Sequence, residues 1–152
     1  MKINKFDYCP MSVKIPEYEF NLKAKEFQKT NEEFTIWFFE GILENYPNYL
    51  DCLMYLGNAY TSKGMFDKGL QLDLKLVELR PHDAGVHYNL ACSYSLLGKT
   101  DLAFASLSKS IDFGYRDIKH LENDRDLDRL RNEEQYKIIL TKLKETKEKH
   151  VS

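Results

Sequence analysis

The sequence predicts an all-α protein made of antiparallel helix pairs. Hydrophobic side chains recur every three or four positions over long stretches, which is the period of an amphipathic helix. Seven glycines and four prolines in 152 residues are too few to punctuate many short strands and turns. Identical residues also recur 34 positions apart, which is typical of a stacked helical repeat.

Seven pairs of positions share the 34-residue spacing, too many to arise by chance at one offset. They are Glu44 and Glu78, Pro47 and Pro81, Leu56 and Leu90, Tyr60 and Tyr94, Gly64 and Gly98, Asp67 and Asp101, Lys75 and Lys109.

Two clear units follow from this spacing, residues 50–83 and 84–117. In the first unit one helix ends near Gly64, and a second helix starts at Phe66 and stops before Pro81. In the second unit Gly98 takes the place of Gly64. Glycine adopts the left-handed conformation that a tight turn between two helices requires.

Upstream, residues 16–49 read as a divergent unit, in which Thr30 and Glu33 have the spacing of a capping box. Residues 1–15 are predicted to be an extended arm, because Pro10 and Pro16 interrupt any helix. The arm is rich in apolar side chains, so we expect it to dock on the repeats rather than to remain idle.

Downstream, residues 118–152 are predicted to cap the stack. A last helix at about Glu133–Lys149 has one apolar face and then becomes wholly charged, as a terminal cap should. The apolar face consists of Tyr136, Ile139, Leu140 and Leu143.

The units resemble the tetratricopeptide repeat. The resemblance rests on the 34-residue period, the closing Pro81 and two signatures, Leu56-Gly57-x-x-Tyr60 and Leu90-Ala91-x-x-Tyr94. It implies a right-handed α-α superhelix, whose concave groove is lined by the first helix of each pair. Two departures, Gly69 for the usual Ala and Asp73 where an aromatic is common, are expected to loosen the first unit.

The resemblance also implies which side chains face that groove and would contact a peptide or helix of a partner protein. They are Met54, Tyr55, Asn58, Thr61, Ser62, Tyr88, Asn89, Cys92, Ser95 and Leu96, with Phe20, Asn21, Ala24 and Phe27 as a possible extension. The alternative interpretation is that several of them only pack between repeats.

Some relatives in that family bind acidic C-terminal tails through a clamp of lysines, asparagines and an arginine. Asn58 and Asn89 match the two amides, and Lys119 matches one lysine. Met54 and Asn123 occupy the other two cationic positions, so a bound carboxylate would lack its partners. The clamp is therefore disfavoured.

No catalytic or metal site is predicted. The acidic run at 122–128 lacks the central Gly and the twelfth-position Glu of a calcium loop, and Asp124 and Asp126 are expected to cap and start a short helix. The four histidines show no paired-ligand spacing, since His82 falls in a loop and His87 on a helix. Catalytic signatures are absent from the sequence, so we expect no enzyme, cofactor or metal.

Composition limits the remaining classes. A net charge of −2 gives no electrostatic reason to bind nucleic acid or an anionic membrane. Three widely spaced cysteines, Cys9, Cys52 and Cys92, with no CxxC pair and no signal-peptide run, favour a cytoplasmic protein with reduced thiols. The expected function is a non-catalytic adaptor, monomeric or weakly dimeric. The alternative is a self-assembly module, whose groove is filled by its own arm or by a second copy.

Overall fold

The computed structural model describes the backbone of residues 31–149 and the side chains of residues 33–144. That part of the chain contains seven α-helices and no strand, which confirms the predicted all-α class. The helices are α1 (Asn31–Asn45), α2 (Leu50–Ser62), α3 (Phe66–Leu79), α4 (Ala84–Leu96), α5 (Thr100–Asp112), α6 (Ile118–Asn123) and α7 (Glu134–Lys149), with a 3₁₀-helix at Arg125–Leu127 before α7. The predicted arm at 1–15, the first part of the divergent unit and Thr30 of the capping box lie outside the described residues.

The turns between paired helices are built alike. Gly64 has φ +72° and Gly98 has φ +70°, a left-handed conformation that costs a residue with a Cβ atom about 1–2 kcal/mol. Around Gly64 the N–H of Met65 donates to the carbonyl of Tyr60 at 2.8 Å, and around Gly98 the N–H of Lys99 donates to the matching carbonyl at 2.9 Å. These bonds form the Schellman motif that ends many helices.

Consecutive helices from α1 to α5 pack on one another. Leu56, Leu90 and Tyr60 are buried as expected, whereas Tyr94 is only partly buried. A small cluster of Leu53, Leu76 and Val86 joins α2, α3 and α4. The larger cluster joins α4 and α5 to the C-terminal segment and consists of Tyr88, Ala91, Cys92, Ala103, Phe104, Leu107, Leu121, Leu127, Leu130, Tyr136 and Leu143.

Helix α7 packs on this larger cluster. Tyr136 and Leu143 belong to the cluster, while Ile139 and Leu140 are partly buried against it. The hydroxyl of Tyr136 donates to the carbonyl of Leu121 at 2.6 Å, so the buried phenol is satisfied. The side chains named from the sequence therefore join the last helix to the core.

Small residues, Gly57 and Gly69, lie where α2 and α3 approach each other closely. A Cβ atom added at Gly69 would lie 3.0 Å from Oγ1 of Thr61 and 3.6 Å from the carbonyl oxygen of Gly57. At the corresponding positions in α4 and α5, Ala91 and Ala103 are fully buried. The first pair thus uses glycine where the second uses alanine.

Among the described helices, none combines the length and the apolar character that crossing a membrane requires.

Candidate functional site

A pocket of about 320 Å³ opens between α2, α3, α4 and the segment around α6. Three aspartates line it, and no lysine or arginine does, so we name it the acidic pocket. Its lining residues are Gly57, Asn58, Thr61, Asp73, Tyr88, Asn89, Cys92, Ser93, Leu96, His120, Asp124 and Asp126.

Six of the ten groove residues named from the sequence line the acidic pocket. They are Asn58 and Thr61 of α2, and Tyr88, Asn89, Cys92 and Leu96 of α4. Residues from the first helices of two consecutive units therefore meet at one site. That convergence is what the family resemblance implies for a groove.

The other four residues lie elsewhere. Ser95 is 1% exposed, so its hydroxyl does not reach the surface. Met54 and Ser62 are exposed on α2 but do not line the pocket. Tyr55 is 59% exposed and stacks on Phe39 of α1, with ring centroids 5.5 Å apart and an interplanar angle of 11°.

Two side-chain amides at the pocket are free to bind a ligand. Within the described part of the chain, neither Asn58 nor Asn89 has a hydrogen-bond partner for its side chain. An amide offers both a donor and an acceptor, which is the complement of a peptide backbone. The two asparagines therefore suit a polypeptide ligand better than an ion.

Asp73 of α3 is the buried acid of the pocket, only 7% exposed. Its Oδ2 accepts a hydrogen bond from the hydroxyl of Ser93 on α4 at 2.5 Å. Burial raises the pKa of this carboxyl to about 6, although the bond from Ser93 lowers it. The sequence pattern had marked Asp73 only as a departure that loosens packing.

Asp124 organises the part of the pocket that the C-terminal segment lines. Its Oδ1 accepts the backbone N–H of Asp126 at 3.0 Å, which caps the 3₁₀-helix as predicted. Its Oδ2 accepts the hydroxyl of Tyr88 at 2.8 Å and lies 3.7 Å from Sγ of Cys92. Nε2 of His120 lies 3.5 Å from the same oxygen. Asp124 thus holds the C-terminal segment against α4.

Burial shapes the protonation of the groups around Asp124. It raises the pKa of the Cys92 thiol and of the Tyr88 hydroxyl, so both remain protonated donors near neutral pH. It also raises the pKa of Asp126, with further contributions from the neighbouring charges of Asp124 and Asp128, while His120 acts in the opposite direction. The pocket concentrates negative charge without a basic residue other than one histidine.

One atom set in the pocket has the dimensions of a metal site. Single ligand atoms of Cys92, Asp124 and Asp126 all lie within 4.8 Å of one another. Both oxygens of Asp124 already accept hydrogen bonds from the protein, and a thiol must lose its proton to bind a metal. The set fits a hydrogen-bonded structural corner better than a metal centre.

Among the described residues, Lys119, His82 and His87 do not line the pocket, whereas His120 does. Lys119 is exposed, and the amide nitrogen of Asn123 donates to its carbonyl at 2.7 Å. His87 is buried, with Nε2 2.9 Å from the carbonyl oxygen of Pro81. Its ring lies against Phe113, as does that of His82. These histidines pack against a hydrophobic side chain.

Sequence reasoning missed the pocket role of Asp73, Ser93 and His120, and it assigned Asp124 and Asp126 to capping alone. One signal was present. Asp73 stands 34 residues before Leu107. A carboxylate at a position that is apolar in the next repeat indicates a buried polar group, which needs a hydrogen-bond partner.

The described part of the chain is an all-α structure with a polar pocket between neighbouring helices. No family model matches the chain. The chain is similar to a chloroplast protein of Arabidopsis thaliana, with 27% identity over 93 residues. The match covers 59% of this chain and 28% of that relative, so the chain spans less than a third of the relative's length. The cytoplasmic location of this chain stays a prediction.

Proposed function

We propose that this chain is a non-catalytic interaction module of the tetratricopeptide type. In this proposal the helix pairs stack into a right-handed superhelix, and the surface formed by α2 and α4 binds a segment of a partner protein. The observation that carries the proposal is the convergence on one pocket of six groove residues chosen from the sequence alone.

Two further observations support the proposal. The paired helices end in the same Schellman turns at Gly64 and Gly98, 34 residues apart. The amides of Asn58 and Asn89 stand without partners in the described structure, and unsatisfied amides on the wall of a pocket can hold an extended peptide backbone.

Selection from a displayed library of random peptides on the immobilised full chain tests the proposal. Selected peptides should bind the free protein in calorimetry. The substitution Asn89→Ala in the pocket should weaken the affinity for the selected peptides about three- to tenfold, as expected for one or two lost hydrogen bonds.

Gln71→Ala is the matched control, because Gln71 is an exposed amide on α3 that does not line the pocket. If no peptide is selected, or if both variants weaken binding equally, the pocket is not a peptide site.

A second candidate is self-occupation of the pocket by the N-terminal arm. Residues 1–15 contain three lysines and one aspartate, so the arm is complementary in charge to the acidic pocket. A tethered segment has a local concentration of order millimolar and competes well with a free ligand. Replacing Lys2, Lys5 and Lys14 together with glutamine should then strengthen peptide binding by the full chain, whereas unchanged binding would exclude this arrangement.

A further inference from the structure

The charge of the acidic pocket is opposite to that of a clamp for acidic tails. Asp73, Asp124 and Asp126 line it, and His120 is the one basic side chain among the lining residues. A concave surface of one sign attracts a ligand of the opposite sign, since the surrounding protein focuses the field. The pocket is therefore suited to a cation.

Asp73 supplies an independent sign of a missing partner. Its residue is more than nine-tenths buried, and one oxygen, Oδ2, accepts the hydroxyl of Ser93. The other oxygen, Oδ1, has no hydrogen-bond partner among the described residues and would lie 3.8 Å from a Cβ atom added at Gly57. Because Asp73 lines the pocket, a ligand that enters the pocket can donate to this acceptor, which the protein leaves unpaired.

Gly57 keeps the space beside Asp73 open. Gly57 and Asp73 both line the pocket, and α2 has no side chain at this point to cover Oδ1. A cationic group that entered here could donate hydrogen bonds to Oδ1 of Asp73. Charge-assisted bonds of this type are about twice as strong as neutral ones.

Asp126 also lines the pocket, from the 3₁₀-helix rather than from α3, and offers a second acceptor. Its carboxylate has no hydrogen-bond partner in the described part of the chain, in contrast to that of Asp124. It is partly buried. A long side chain with several donors can therefore reach acceptors on two walls, while the amides of Asn58 and Asn89 remain for the backbone of the same ligand.

We propose that the acidic pocket anchors a cationic side chain, arginine in preference to lysine, from the partner segment that α2 and α4 bind. This inference rests on the function proposed above. The guanidinium group presents five donors in a fixed planar fork, which suits acceptors on two walls better than the single ammonium of lysine. A volume of about 320 Å³ is at the lower end of ligand pockets and accommodates one side chain rather than a folded element.

A divalent metal is the competing occupant. The three-residue set that could hold it includes Cys92, but burial raises the pKa of that thiol, and the thiol is positioned to donate to Asp124. Asp73, the most buried acid, does not belong to the atom set that could hold a metal. An organic cation uses Asp73 and leaves the corner around Asp124 intact.

The test uses the same peptide selection on the full chain. Selected peptides should share an arginine or lysine at one position. Replacing that residue in the peptide with glutamine should weaken binding by at least about tenfold, or 1.4 kcal/mol. In the variant Asp73→Asn/Asp126→Asn, the arginine and glutamine peptides should bind almost equally, because the substitutions remove the carboxylates that pair with the arginine. The four affinities form a double-mutant cycle that measures this pairing.

Asp101→Asn is the matched control, since Asp101 is an exposed acid on α5 outside the pocket, and it should retain the full preference for arginine. Thermal melting of each variant confirms that the fold is intact. Peptides that bind without a shared cationic position would overturn the anchor and leave the peptide-binding function standing. A failure to select any peptide would overturn both.

Titration of the full chain with Co²⁺ alone tests whether the pocket binds a metal ion instead of a cationic side chain. A thiolate-to-cobalt absorption band that disappears in Cys92→Ser would make the pocket a metal site and overturn the anchor. Absence of the band, together with the arginine preference, is the expected result.

Discussion

The two helix pairs α2–α3 and α4–α5 share a plan but differ at one buried position. Both have a buried leucine in the first helix, Leu56 or Leu90, and both turn at a glycine with φ near +70°. At matching positions in the second helices stand Asp73, 7% exposed, and Leu107, fully buried. The same place in the repeat thus holds a carboxylate in one pair and an aliphatic side chain in the other.

The surroundings of the two residues explain the difference. Leu107 packs into the larger cluster with the C-terminal helices, whose other members are aliphatic side chains, aromatic side chains and one thiol. Asp73 instead faces α4 through Ser93 and the acidic pocket. The repeat period determines which way a side chain points, whereas the chemistry of that side chain decides whether the position joins the hydrophobic core or lines a polar pocket.

The largest expected effect comes from the leucine. Leu107→Ala removes a fully buried side chain and should lower the free energy of unfolding by about 2–5 kcal/mol. Urea denaturation followed by circular dichroism measures it.

Leu102→Ala is the matched control on the same helix, because Leu102 is 49% exposed and its truncation should change stability by less than about 0.5 kcal/mol. Equal losses from both variants would mean that the larger cluster does not hold α5 in place.

Replacing Asp73 should raise the stability rather than lower it, by an amount that depends on pH. The folded-state pKa of Asp73 is about 6, above its ordinary value of 3.8. Its favourable contribution is therefore present below pH 3.8 and is lost as the pH rises through 6. Asp73→Asn removes this ionisation, so the variant should be more stable than the wild type at about pH 7–8, by on the order of 3 kcal/mol.

That gain should shrink between about pH 6 and pH 4 and vanish below it. Urea midpoints of the wild type and the variant across this range provide the measurement. Asp101→Asn, on the exposed face of α5, should show no such trend. A difference between the wild type and Asp73→Asn that stays constant with pH would show that the carboxylate is not the buried acid described here.

The smallest effect concerns the turns. Gly64→Ala and Gly98→Ala each force an alanine into the left-handed region and should cost about 1–2 kcal/mol. At Gly98 the new Cβ would also meet Nη1 of Arg129 at 2.8 Å, whereas nothing lies within 4 Å of it at Gly64. Because the arginine end is flexible, the two costs in thermal melts should differ only slightly. A far larger cost at Gly98 would show that Arg129 is fixed in place.

Much of the helical architecture followed from local patterns. The glycine turns, the helix lengths, the apolar face of α7 and the cap at Asp124 were predictable because each depends on residues within a few turns of one another. Six pocket residues were also predictable, although they came from the family resemblance rather than from periodicity. Ser95 was placed at the surface by the same rule and is instead buried, because the rule identifies a helix face but does not show how deeply each residue lies beneath its neighbours.

By itself the sequence determined the all-α class, the helix pairs and their 34-residue spacing, since these arise from short-range hydrogen bonds and hydrophobic periodicity. Tertiary structure alone decided that Asp73 meets Ser93 twenty residues away, and that Asp124 meets Tyr88 across 36. Those contacts depend on how separate helices pack, and on which polar groups the packing buries away from solvent. The sign of the pocket's charge is therefore a property of the assembled helices, and no single stretch of the chain carries it.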